Sequence, residues 1–210
     1  MKVLLVNGSP REHGCTYTAL QEIATTLQGE RVEAEIFWLG KEPISGCLAC
    51  GQCRSKTVCA IDDKVNEFIA LSDTADGFIF GSPVHYAAAS GAITSFMDRL
   101  FYAAGQGRRA IFYLKPAACI LSARRAGTTA AFDQLNKYFT ISQMPVISSK
   151  YWNMVHGNTP DEVRQDLEGL QIMRILARNM AWFLKCKEAA LQAGVPYPTP
   201  EEQTFRTNFI

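Results

Sequence analysis

The chain has 210 residues, 48% of them hydrophobic, and 21 Lys and Arg against 20 Asp and Glu leave a net charge of +1. That is enough chain to bury a full core as one domain, and it excludes disordered and fibrous classes. The near-neutral balance also excludes proteins that hold nucleic acid or a membrane surface through a basic field, so a small neutral or anionic ligand is the expected partner.

The opening run MKVLLVNGSP is too short for a signal segment, and no apolar stretch approaches membrane-spanning length, so a cytoplasmic protein is expected. Seven cysteines without an export signal point to reduced thiols or metal ligation rather than a disulfide framework. Apolar β-rich runs then alternate with helical patterns. Val3 to Val6 predicts a buried parallel strand, and Thr16 to Leu27 predicts a helix with Ala19, Leu20, Ile23, Ala24 and Leu27 on one face. Val32 to Leu39 reads as a second strand, Asp63 to Ser72 as a helix, Gly77 to Phe80 as a third strand and Gly91 to Phe101 as a helix. A fourth strand fits Ala117 to Leu121, a helix Thr128 to Phe139, and a fifth strand Met144 to Ile147. One long helix is predicted over Pro160 to Lys187. The sum is an α/β doubly wound five-stranded parallel sheet with helices on both faces. We expect one domain over 1–190 carrying a cysteine-rich loop at 43–60. After Gly194 the Pro-rich tail cannot be helical, so residues 191–210 are read as an arm that crosses to a partner subunit.

In such a sheet, ligands bind at the carboxyl ends of the strands, and three loops fall there. The first, Gly8 to Thr16, combines small residues, the hydroxyls of Ser9 and Thr16, the cation of Arg11 and a helix N-terminus, which suits a monophosphate. It lacks the glycine spacing of dinucleotide and nucleoside-triphosphate loops. The plain alternative is an ordinary βα loop with Thr16 as the helix cap. The second, Gly81 to Gly91, offers backbone amides, small residues and an aromatic ring for a flat heteroaromatic ligand. The third, Ser122 to Thr128, adds Arg124 and Arg125, which fit a phosphate or an anionic ring and equally fit solvated surface charges.

Cys47, Cys50, Cys53 and Cys59 stand in one short stretch with Gly46 and Gly51 between and before them. Four thiolates at that spacing suit an iron–sulfur cluster wrapped by a glycine-containing loop. Zinc also accepts four thiolates but is usually held by pairs with a longer spacer, and free thiols or a disulfide form a third reading. Cys119 and Cys186 read as small buried hydrophobes. His13 and His156 read as surface residues, Asp62 and Asp63 as a helix cap, Asp98-Arg99 as an ion pair or oligomer contact, and Trp152, Trp182 and Phe183 as core or interface.

The succession VNGSPR…GCT, G-C-x2-C-x2-C-x5-C, GSPVHY…SG…FMDR and SARRAG resembles the flavodoxin-like NAD(P)H-dependent FMN reductase family, and within it the iron–sulfur flavoproteins, over about residues 1–155. The resemblance implies strand order 2-1-3-4-5. It implies that Ser9, Arg11, Cys15, Thr16 and Tyr17 surround the FMN phosphate and ribityl chain. Pro83, Val84, His85, Tyr86 and Ala87 would line the isoalloxazine edge, and Ser122, Ala123, Arg124, Arg125 and Gly127 the far side. Cys47, Cys50, Cys53 and Cys59 would hold a [4Fe–4S] cluster. The implied activity is electron transfer between NAD(P)H, or a ferredoxin-like donor, and a small acceptor such as a quinone or free flavin, with the chemistry carried by FMN rather than a side chain. Homodimers or homotetramers follow from the same resemblance. The competing readings are a cluster-free reductase, a flavodoxin-type electron carrier and a thiol redox sensor.

Overall fold

The computed structural model describes residues 1–56, 58–106, 111–198, 205 and 207. Its elements are β1 (Lys2–Asn7), α1 (Cys15–Gly29), β2 (Glu33–Trp38), α2 (Cys53–Lys56), α3 (Lys64–Ser72), β3 (Gly77–His85), β4 (Ala88–Ala89) and α4 (Gly91–Gln106). They continue with β5 (Ala117–Ala123), α5 (Thr128–Ile141), β6 (Met154–His156), α6 (Pro160–Gln165) and α7 (Leu167–Gln192). The parallel strands lie in the order β2-β1-β3-β5-β6, and the two-residue β4 pairs antiparallel with the end of β3. Counted without β4, this is the expected flavodoxin-like order.

Side-chain alternation explains why both faces of the sheet are covered. Leu4, Val6, Phe78, Phe80, Cys119 and Leu121 point into a core shared with α3, α4 and α5. Val3, Leu5, Ile79, Ala118 and Ile120 point the other way, into a core shared with α1 and α7. Continuous apolar runs therefore mark two-sided burial, as parallel central strands require. No described helix is long and apolar enough to cross a membrane.

Two expectations need correction. The fifth strand is Met154–His156, not Met144 to Ile147. The earlier segment does begin to pair, since Ala117 N–H donates to Pro145 O and Ile147 N–H donates to Ala117 O, both at 2.9 Å, but this is an isolated bridge. The chain then leaves the sheet, and Asn153 Nδ2 donates to Cys119 O at 3.1 Å where a strand residue would otherwise pair. The predicted long helix is likewise broken at Asp166, which lies at ψ 76 and ends α6. Its carboxylate accepts the Gly169 N–H at 2.9 Å, capping α7, and the His156 N–H at 2.7 Å, tying the break to β6. A Cβ at Gly169 would stand 2.3 Å from Asp166 Oδ2, so the cap needs glycine there.

The described part of the tail packs on its own chain: Tyr113 OH donates to Pro198 O at 2.6 Å, and the Lys187 ammonium lies 5.3 Å from the Tyr197 ring centroid. Apart from Phe205 and Thr207, the rest of the expected arm lies outside the described residues. Trp152 and Trp182 are exposed rather than in the core. Cys119 is fully buried as expected, and burial pushes its thiol far above the usual range, whereas Cys186 is exposed on α7, against expectation. In native reduced protein, iodoacetamide should therefore label Cys186 readily and reach Cys119 only on unfolding, as peptide mass spectrometry would show.

Candidate functional site

The first loop is built by Asn7, the last residue of β1, which is fully buried. Its Oδ1 accepts the Ser9 N–H at 3.1 Å and its Nδ2 donates to Glu12 O at 2.9 Å, so one side chain shapes the turn. Ser9 Oγ accepts the Arg11 N–H at 3.1 Å, and Trp38 Nε1 donates to Ser9 O at 2.8 Å. Gly14, not Thr16, is the N-cap of α1, and no side chain caps it. The first N–H groups of the helix are left with their partial positive charge toward the loop, the arrangement that receives a phosphate. Thr16 is buried inside the helix, its hydroxyl 2.8 Å from Ser122 Oγ. Cys15 donates to Gly157 O at 3.6 Å, with burial raising its pKa. Arg11 is exposed at the rim.

The second loop is more ordered than a sequence of small residues suggests. β3 runs on to His85 and turns through Tyr86 and Ala87 into β4. Both turn residues have positive φ, 51° and 60°, as a two-residue type I′ hairpin demands. Pro83 and Val84 are half-buried, while His85, Tyr86 and Ala87 are exposed. Behind the hairpin Ser90 N–H donates to Ser82 Oγ at 3.0 Å, and Ser90 Oγ donates to Gly8 O at 3.0 Å.

The three loops meet. Gly8 N–H donates to Gly81 O at 2.9 Å, and a Cβ on Gly8 would stand 2.9 Å from that same oxygen. Gly127 takes φ 96° and passes so near the hairpin that its Cβ would lie 2.7 Å from Ala87 Cα. Ser122 and Ala123 end β5 as buried residues, whereas Arg124 and Arg125 are exposed beside them. Tyr17 lies on the outer flank of the first loop. It stands edge-on to His13, with centroids 4.7 Å apart, in a groove on the α1–β2 flank shared with Trp38. Sequence reasoning missed Asn7, Trp38, Ser90 and Gly157, although Asn7 at a strand end before Gly-Ser was a usable turn signal.

The four cysteines line one narrow cleft together with Leu48, Ile61, Arg99 and Tyr102. Among the described residues, no three metal-ligating side chains stand close enough to hold a single ion. The cleft is mostly apolar apart from the thiols and the Arg99 guanidinium. Cys47 and Cys50 are exposed, Cys59 is half-buried and Cys53 is buried at the start of α2. Burial pushes the Cys53 thiol up, and the other three sulfurs add to the effect. Ala49 and Gly51 have positive φ, 51° and 71°, so the backbone curls between the first three cysteines, and Ala49 N–H donates to Cys47 Sγ at 3.4 Å. Asp63 caps α3 as expected, accepting the Val65 N–H at 3.0 Å. Arg99 does not pair with Asp98, whose carboxylate accepts the Tyr138 hydroxyl, but with Asp63, at 2.6 Å. This guanidinium also donates to Cys59 Sγ.

The chain matches the sequence model of the NADPH-dependent FMN reductase family over residues 1–159. It is 28% identical, over 194 residues, to an iron–sulfur flavoprotein of Methanocaldococcus jannaschii, covering 88% of this chain and 98% of that protein. Among solved structures, RosB with bound 8-demethyl-8-formylriboflavin-5′-phosphate is similar with a TM-score of 0.68 and 13% identity, over 100% of this chain and 92% of that one. A flavodoxin from the domain Archaea is similar with a TM-score of 0.58 and 16% identity, over 88% and 99%. These two likenesses concern the fold alone. Because the family match runs from the first strand through the end of β6, the chain belongs to the NADPH-dependent FMN reductase family.

Proposed function

We propose that this chain is an FMN-dependent oxidoreductase that moves electrons between NAD(P)H, or a ferredoxin-like carrier, and a small acceptor such as a quinone or free flavin. A [4Fe–4S] cluster on Cys47, Cys50, Cys53 and Cys59 takes part. The observation that carries the reading is the meeting of three strand-end loops at an uncapped helix N-terminus, with a four-thiol cleft in the same domain.

The residues present fit both groups. The free N–H groups at the start of α1 and the Arg11 cation receive the phosphate, and Ser9, Cys15 and Thr16 border the ribityl chain. The buried hydroxyl pair of Thr16 and Ser122 locks the first loop to the third, so the phosphate seat and the ring seat keep their spacing. Pro83 to Ala87 present a rigid hairpin to one edge of the ring. Ser122, Ala123 and Gly127 allow the main chain to approach its other side, with Arg124 and Arg125 at the rim. Tyr17 adds a wall to the flank of the phosphate seat. For the cluster, the donor set is four thiols, with N–H groups aimed at Cys47 and Cys59 and an apolar wall. Bound FMN and the cluster supply two-electron and one-electron transfer, which no side chain here provides. Residues 1–190 form the FMN-binding domain and 191–210 an arm. The chain assembles as a homodimer or homotetramer, to which the exposed Tyr86, Tyr151 and Trp152 are suited.

The test is FMN, iron and acid-labile sulfide content of anaerobically purified protein, followed by NAD(P)H oxidation with a quinone acceptor. The expected result is about one FMN, with about four irons and four sulfides, per chain. Flavin without iron leaves a cluster-free reductase, flavin without turnover leaves an electron carrier, and protein that takes up no FMN overturns the reading.

A further inference from the structure

Arg99 is one of the most deeply buried large side chains in the molecule, with 2% of its surface exposed. A buried guanidinium must find acceptors for all of its N–H groups. Here they come from the cysteine segment. Nη1 donates to Ser45 O at 3.3 Å and Asp63 Oδ2 at 2.6 Å. Nη2 donates to Ile61 O at 3.0 Å, Asp63 Oδ1 at 2.9 Å and Cys59 Sγ at 3.2 Å. Nε donates to the same sulfur, also at 3.2 Å. Ser45 precedes the first of the four cysteines and Ile61 follows the last, so one side chain closes both ends of the loop.

Cys59 is held from a second direction. Asn66 of α3 accepts its N–H at 2.8 Å and donates to its carbonyl at 3.0 Å. Main chain and sulfur are therefore fixed by two different helices. Cys53 is buried at the start of α2, while Cys47 and Cys50 lie exposed on the curled loop.

We propose that Arg99 is the positioning residue of the four-cysteine site. It sets Cys59 Sγ in place through two N–H···S bonds, so that Cys59 and Cys53 form a preset half onto which Cys47 and Cys50 close around a thiophilic metal centre. Asp63 aims the guanidinium and balances its charge. The inference rests on the reading of the four thiols as metal ligands but does not depend on which metal is loaded in the cell.

The test uses Co2+ as the probe on full-length, reduced, metal-free protein under anaerobic conditions, with FMN binding and thermal unfolding measured alongside. Wild type is expected to give the intense visible bands of tetrahedral thiolate-bound Co2+. Arg99→Lys keeps a cation beside Asp63 but loses the two-point grip on the sulfur. It should bind Co2+ about tenfold or more weakly, the usual cost of losing a residue that orients a ligand. Its thiolate-to-cobalt charge-transfer band should also move to lower energy, because the sulfur lone pairs lose two hydrogen bonds, a shift that a purely structural defect does not produce. Asp63→Asn retains the α3 cap and carries the test if Arg99→Lys does not fold; it should weaken Co2+ binding by several-fold. A folded Arg99→Lys or Asp63→Asn with wild-type affinity and band position overturns the proposal. So does a wild type that binds Co2+ without thiolate bands. Iron content and FMN uptake of the isolated protein remain the separate test of the functional reading.

Discussion

Phe68→Ala is expected to lower stability by about 3–5 kcal/mol, the range for deleting a fully buried aromatic ring. Phe68 has no exposed surface and lies at the centre of the core between the sheet and α3–α4. Its ring centroid is 5.3 Å from Phe37, 5.4 Å from Phe96, 6.1 Å from Phe78 and 6.2 Å from Phe80. Four rings on two strands and a helix cannot all move in to fill the gap, so the cavity term stays near its maximum. In a chain of this size that corresponds to a fall in Tm of roughly 6–20 °C. Trp182→Ala is the contrasting variant, since that ring is 67% exposed and its removal should cost about 0.5 kcal/mol or less. Thermal unfolding of the two variants beside wild type decides the matter. Equal losses would mean that the aromatic cluster is not the core of the molecule.

Gly127→Ala is expected to weaken FMN binding by roughly 10- to 100-fold, equivalent to about 1.4–2.8 kcal/mol. A side chain at φ 96° carries a strain of about 1–2 kcal/mol for leaving the favoured backbone regions. The new methyl group would also lie 2.7 Å from Ala87 Cα, a main-chain atom that cannot swing aside. Either the third loop or the Tyr86–Ala87 hairpin must shift, and both are proposed to border the flavin ring. Quenching of FMN fluorescence on titration with apoprotein measures the affinity. A variant that binds FMN as wild type does would show that the ring does not occupy this cleft.

Much of the fold was legible because parallel strands buried on both faces leave continuous apolar runs, and Val3–Val6 or Phe78–Phe80 allow little else. The convergence of the four cysteines was legible from their spacing, and the place of the first strand-end loop from its position after β1. The failures have local causes. Met144 to Ile147 is as apolar as a strand and does begin to pair, but its continuation is replaced by an asparagine side chain, which no periodicity reveals. The helix pattern through Val163, Leu167 and Leu170 runs unbroken across Asp166, because a carboxylate that stops a helix and one on its solvent face look the same in sequence. Arg99 was read with its neighbour Asp98, yet its partners Asp63 and Cys59 lie 36 and 40 residues away, and only tertiary packing identifies them. Tyr17 packs on His13 of the first loop and faces the α1–β2 flank.

Ser90 and Arg99 share one helical run. Ser90, just before α4, grips the first strand-end loop through Gly8 O, and Arg99, farther along the same helix, grips the cysteine segment. Nine residues at about 1.5 Å each separate the two grips by roughly 14 Å along the axis. An α-helix packed into a core is close to inextensible, so it acts as a spacer bar between the two mountings. Electron tunnelling decays steeply with distance. With the flavin and the cluster proposed above in place, a bar of fixed length would hold the distance between them, and so that rate, constant.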